Sequence, residues 1–192
     1  MDRFILVIAL MLVLAVPPAV AHVAQAQEKP KLAVFKCELF DTSGGQLPDI
    51  LHAQTKRLDL ITDIIIEDIK RRHVYDLVDT SRANELDSPH ARFAAEGLFR
   101  ECPGCEAEVA LQLGADVSMG CLIQKVSNLI LNINFYLRDT HSGQLTGQYS
   151  AAIRGNTDQT WTRSALWLLK NRVFEDPKLK EEREKRIRGE MP

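Results

Sequence analysis

Alternation is clearest from Leu131 to Arg138, where Leu131, Ile133, Phe135 and Leu137 fall on one side of an extended chain. Asn132, Asn134, Tyr136 and Arg138 fall on the other. The pattern predicts a strand from Leu129 to Arg138, with Leu129 also inward, one face buried and the other wet or polar-paired. Val117 to Val126 and Gln144 to Gly155 read as its antiparallel neighbours, reached through turns at Ser127-Asn128 and 139–143. Upstream, Leu32 to Phe40 (LAVFKCELF) is nearly continuous in apolar residues and reads as one strand. From about Ala53 to Arg72, Leu58, Ile61, Ile64, Ile65 and Ile69 recur at helical spacing. Val74 to Asp79 then reads as a short strand. Strand, helix, strand favours a parallel pair with a right-handed crossover.

The polar stretch 80–100 reads as helical pieces broken near Ser88-Pro89, and 101–106 as a turn. A short helix over Ala107–Leu113 ends at Gly114. A last helix begins at Asn156-Thr157-Asp158 and carries Trp161, Ala165, Leu168 and Leu169 on its inner stripe. The fold class is α/β (α+β): a single five-stranded mixed sheet with a parallel start and an antiparallel meander, packed against helices. The expected core holds Val34, Phe35, Ile61, Ile65, Val78, Leu131, Ile133, Phe135, Trp161 and Leu168.

Two end segments stand outside this pattern. Phe4 to Val16 is an unbroken apolar run of 13 residues, short of the roughly 20 that span a bilayer. Pro17-Pro18 follows, then small-residue cleavage patterns ending at Ala21 and at Ala26. Residues 1–26 therefore read as a secretory signal peptide, 27–174 as one α/β domain, and 175–192 as a charged helical or disordered tail. The tail has six acidic and six basic residues and almost no apolar stripe. The expected location is the periplasm or the medium, with no membrane span after cleavage. A formal charge of −2 and export both disfavour nucleic acid as a partner.

Export changes the meaning of Cys37, Cys102, Cys105 and Cys121, because an oxidising compartment favours disulfides. Cys102 and Cys105 are three apart in a Pro-Gly turn, so theirs is the most favoured bond, and its short loop limits what it adds to stability. Cys37 and Cys121 fall on strands that should be neighbours; a bridge and a pair of buried free thiols are equally compatible with the sequence. A thiolate beside a helix start is activated, but flanking Glu101 and Glu106 oppose it. Pro103-Gly104 also inverts the Gly-Pro order of thioredoxin-like enzymes.

The other signatures of chemistry are missing from the sequence. Zinc commonly takes two close ligand doublets and only one exists, so no metal is expected. Glu106 stands where a haem-attachment motif needs histidine. The histidines lack HExxH spacing and read as exposed or capping residues. There is no phosphate-binding glycine loop and no GxSxG elbow. Gln124, Asn132, Asn134, Tyr136 and Arg138 form a candidate recognition face, with the wet side of an antiparallel sheet as the plainer reading.

The order of elements resembles the small α/β domain at the amino terminus of TolB and in CsgG. The stretches 124–134 and Ile153-Arg-Gly-Asn-Thr-Asp158 with Trp161 resemble a family of uncharacterised secreted proteobacterial proteins, over most of the chain after residue 26. That resemblance implies the fold and brings no catalytic residues or cofactor. The chain has no propeller repeats, so a TolB-like translocation role does not follow. The expected function is non-catalytic: an exported interaction or assembly accessory protein with a periplasmic protein partner. The alternatives are a thiol–disulfide protein using Cys102 and Cys105, and a small-ligand binding protein.

Overall fold

Residues Lys31–Val34 form strand β1, whose last three residues are buried because parallel strands flank it on both sides. The structure, a computed structural model, describes residues 28–44 and 48–190. The expected leader lies outside the described residues. No helix of the described residues is long and apolar enough to cross a membrane.

The first strand is not one strand but two, β1 and β2 (Glu38–Asp41), so the sheet has six strands rather than five. Both pair in parallel with β4 (Val117–Lys125), but with different registers. Val34 faces Met119 and Glu38 faces Leu122, so residues 35–37 span what Gly120 and Cys121 span on β4. One extra residue makes a bulge and switches the parity of the chain. Leu32 and Val34 belong to one core cluster; after the bulge that side receives Cys37 and Leu39 instead. The Cys37 N–H finds its acceptor in Thr62 Oγ1 at 2.9 Å, on the crossover helix.

That helix, α1 (Pro48–Arg72), begins earlier than its apolar pattern implies and buries Ile61, Ile65 and Ile69 completely. Lys70, Arg71 and Arg72 suit its carbonyl end. Strand β3 (Asp76–Val78) then pairs with β1. Strands β5 (Ile130–Asp139) and β6 (Leu145–Arg154) complete the antiparallel meander, and the order across the sheet is β3-β1-β4-β5-β6. Leu129 is not inward; it is 73% exposed in the turn before β5. The expected core residues are otherwise buried, with Val78 packed at the edge of the second cluster.

Helix α4 (Asp158–Leu168) packs beside α1 and ends in a wider π turn, Leu169–Val173. Its capping box pairs Thr157 with Thr160. Arg57 of α1 donates to Asp158 Oδ1 at 2.7 Å and to Asn156 Oδ1 at 2.8 Å, and lies over the buried Trp161 ring at 5.2 Å. The segment 153–158 with Trp161 is thus a latch between the two helices. Helix α5 (Pro177–Ile187) buries no residue and carries ion pairs such as Lys185–Glu181.

Both expected and open cysteine pairings are present: Cys102 bonds Cys105, and Cys37 bonds Cys121 with a Cα separation of 4.5 Å. The second bond closes a sequence separation of 84 residues. In the chain-entropy account that is worth about 4–5 kcal/mol, against less than about 2 kcal/mol for the short loop. Thermal unfolding of Cys37→Ser/Cys121→Ser should therefore show a much larger loss than Cys102→Ser/Cys105→Ser; equal losses would contradict this ordering. Replacing fully buried Phe135 by Ala should cost about 3–5 kcal/mol in a denaturant titration.

Candidate functional site

The two faces of the sheet are covered unequally. Helices α1 and α4 cover one, over the large apolar cluster. On the other, α2 (Ala91–Glu96), α3 (Cys105–Gln112) and short 3-10 turns pack around Ala33 and Phe35 at the β1 side. Helix α3 reaches β4 and, through Glu106, Arg138 on this face, but among the described residues no helix packs closely over the β5–β6 part of it. Register places Gln124, Asn132, Asn134, Tyr136 and Arg138 on this face, beside Gln148 and Ser150 of β6. Phe40 and Ile130 are on the same side and about half exposed, at 48% and 54%.

The five residues singled out by sequence do share this face, but they are not equivalent. Gln124 lies opposite Asn132. Asn134 is nearly buried, and its amide donates to the Leu122 carbonyl and to Gln124 Oε1, each at 3.3 Å. Tyr136 and Arg138 line a cleft of about 260 Å³ together with Glu38, Arg100, Pro103 and Gly120. Gly120, opposite Tyr136, has nothing within 4 Å of where a Cβ would sit, so its missing side chain opens the floor. Partial burial pushes the Tyr136 phenol up.

Two buried carboxylates frame this cleft. Glu38 accepts from the backbone N–H groups of Phe99 and Arg100 and from the Arg100 guanidinium. Burial pushes its carboxyl up, against the pull of those hydrogen bonds. Glu106, on the first turn of α3, accepts from Arg138 Nε at 2.8 Å and from the Gly104 N–H at 2.8 Å. The charge expected to oppose a thiolate at Cys102 or Cys105 is therefore matched by Arg138. A third pair, Lys125–Asp41 at 2.8 Å, is buried on the opposite face. Burial pushes Asp41 up, but hydrogen bonds from Lys125 and Ser43 outweigh it and hold the carboxyl low.

The cystine loop borders the cleft through Pro103. Cys102 follows a 3-10 turn, Phe99–Glu101, and Cys105 opens α3. His90, read from sequence as an exposed or capping residue, sits beside them, with Nδ1 2.7 Å from Glu108 Oε2. Sequence reasoning missed Glu38, Arg100, Gly120 and this histidine. A lone glycine inside a strand pattern was the one available signal among them.

The matching family profile covers residues 30–173, and its description is Protein of unknown function (DUF2380). The chain belongs to that family. Family membership bears out the coarser part of the resemblance and leaves the likeness to TolB and CsgG domains as one of element order. No curated protein matches the chain significantly in sequence. Solved structures give distant likenesses. The LpoB C-terminal domain from Salmonella enterica aligns with TM-score 0.42 at 11% identity, over 65% of this chain and 82% of that one. Lipoprotein GNA1162 from Neisseria meningitidis gives 0.38 at 12%, over 67% and 83%. The PelC dodecamer from Paraburkholderia phytofirmans gives 0.42 at 10%, over 73% and 85%. No residue role carries over at such distances.

Arg138→Ala would leave Glu106 buried without its partner, at a cost of about 3 kcal/mol in denaturant titration. Adding Glu106→Gln should recover much of that loss. Two independent, additive losses would show that the pair is not coupled.

Proposed function

We propose that this chain is an exported, non-catalytic interaction module that docks a protein partner on the open part of the β4–β5–β6 face. The observation that carries the reading is the asymmetry of the sheet. One face is sealed by two long helices. The other leaves a strand surface where amides, Tyr136, Phe40 and Ile130 alternate, next to a cleft opened by Gly120. Mixed aromatic and amide surfaces around a pocket are what specific protein contacts use. Arg100 and Arg138 face the cleft already neutralised by Glu38 and Glu106, which favours a neutral or amphipathic segment over a free anion. The leader-like pattern of residues 1–26 and the two disulfide bonds support an oxidising compartment for such a module.

The test is capture from an extract of that compartment, using the chain without residues 1–26 as bait. Arg138 is unsuitable for substitution because it supports Glu106. Other positions serve better: half-buried Asn132→Ala with exposed Gln148→Ala on the face, and exposed Trp167→Ala on α4 as a control. A partner lost with the face variant and kept with the α4 variant is expected. A partner indifferent to the face variant, or lost only with Trp167→Ala, removes this surface from consideration.

A further inference from the structure

A second constellation lies beyond the docking face and does not depend on that reading. A ring nitrogen of His90 and the sulfurs of Cys102 and Cys105 all lie within 4.8 Å of one another. No other group of three or more histidine, cysteine or acidic ligand atoms is brought together in this way among the described residues. We propose that His90, Cys102 and Cys105 form a binding site for a thiophilic d10 metal ion, Cu(I) or Zn(II), when their disulfide is in the dithiol state.

Several features of the fold support this assignment. Metal–sulfur bonds of about 2.3 Å and metal–nitrogen bonds of about 2.0 Å put ligand atoms roughly 3.5–4 Å apart. The imidazole-to-sulfur distances need at most a small closure to reach that spacing, and reduction of the Cys102–Cys105 bond frees the two sulfurs to part from bonding distance. Its members come from packed elements: His90 precedes α2, Cys105 opens α3, and the two helices contact each other. Glu108, one turn along α3 from Cys105, holds His90 Nδ1 at 2.7 Å. A carboxylate on one ring nitrogen fixes the tautomer that leaves the other free to ligate, the usual support of a metal-bound histidine. Glu108 is itself 3.5 Å from both Ser88 Oγ and Gln112 Nε2, so the orienting group is oriented. The positive pole at the start of α3 favours thiolate at Cys105. Arg138 matches the Glu106 charge that would otherwise oppose it.

The donor set selects the ion. Two thiolates and one imidazole suit soft or borderline cations and not calcium or magnesium, which take oxygen ligands. Three donors complete a trigonal Cu(I) site, or leave one position of tetrahedral Zn(II) for water. Entry requires reduction. A dithiol reductant gives two electrons and two protons to the Cys102–Cys105 bond and becomes a disulfide itself. The ion then displaces the two thiol protons, and its own oxidation state does not change.

The experiment titrates the reduced full chain, without oxygen, against chromophoric chelators of Zn(II) and of Cu(I). Tight one-to-one binding of at least one ion is expected. Binding should vanish in Cys102→Ser, which retains Cys37 and Cys121 and so controls for that pair. His90→Ala should weaken it at least about tenfold, and Glu108→Gln by a smaller factor. Circular dichroism checks that each variant is folded. Co(II) loaded into the reduced chain should show thiolate charge-transfer bands that change with His90→Ala. Reduced protein that binds neither ion, undiminished binding in His90→Ala, or equal binding by the oxidised chain would each overturn the site.

Discussion

One extra residue between β1 and β2 sets the rest of the structure. With strict alternation through 32–41, Glu38 would point at α1, into the cluster that holds Ile61 and Ile65, and a lone carboxylate there would be costly. Cys37 would point away from Cys121, and Asp41 away from Lys125. The bulge at 35–37 reverses all three. Glu38 moves to the cleft side, where two backbone N–H groups and Arg100 receive it. Cys37 lands opposite Cys121 on the α1 side, and Asp41 meets Lys125 in a buried pair. The N–H displaced by the bulge is held by Thr62, so the helix that covers the sheet also fixes the irregularity.

The same parity switch explains the unequal faces. On the α1 side, β4 presents Met119, Cys121 and Ile123, all packed beneath helices. On the other, it presents Ser118, Gly120, Leu122 and Gln124, a thinner and more polar set. Small helices can cover the β1 end of such a face because Ala33 and Phe35 give them an apolar footing. Beyond Gly120 that footing ends, and the cleft begins where α3 and its loop stop. The cleft is therefore a consequence of side-chain size along β4 rather than of a missing element.

Much of this was legible in sequence wherever one element states its own pattern. The alternation of β5, the stripe of α1 and the Thr157 cap of α4 are each local, and each locates its element to within a few residues. Leu32 to Phe40 failed because LAVFKCELF has no glycine or proline to mark a bulge, and a continuous apolar run conceals parity. The strand count was lost to view with it, and the Cys37–Cys121 bond stayed one of two open alternatives. Lys125–Asp41 left no local trace, because both residues look like ordinary strand ends and their pairing depends on β2 being offset. Arg138 was legible as polar but not as the partner of Glu106, which lies 32 residues away. His90 needed the packing of α2 on α3 before it could be seen beside two cysteines.

Glu106 joins these two regions. Its carboxylate accepts from the Gly104 N–H, between the two cysteines, and from Arg138, which lines the cleft. Gly104 has φ of 100°, a conformation that L side chains rarely adopt, so the loop keeps this donor aimed only with glycine there. The backbone of the cystine loop and the guanidinium on β5 are thus held by the two oxygens of a single buried carboxylate. One residue and two hydrogen bonds connect the turn between the cysteines to the cleft. Pro103, on the cleft wall itself, is the shorter route. The cystine loop and the wall of the cleft are thus linked through Glu106 and Pro103.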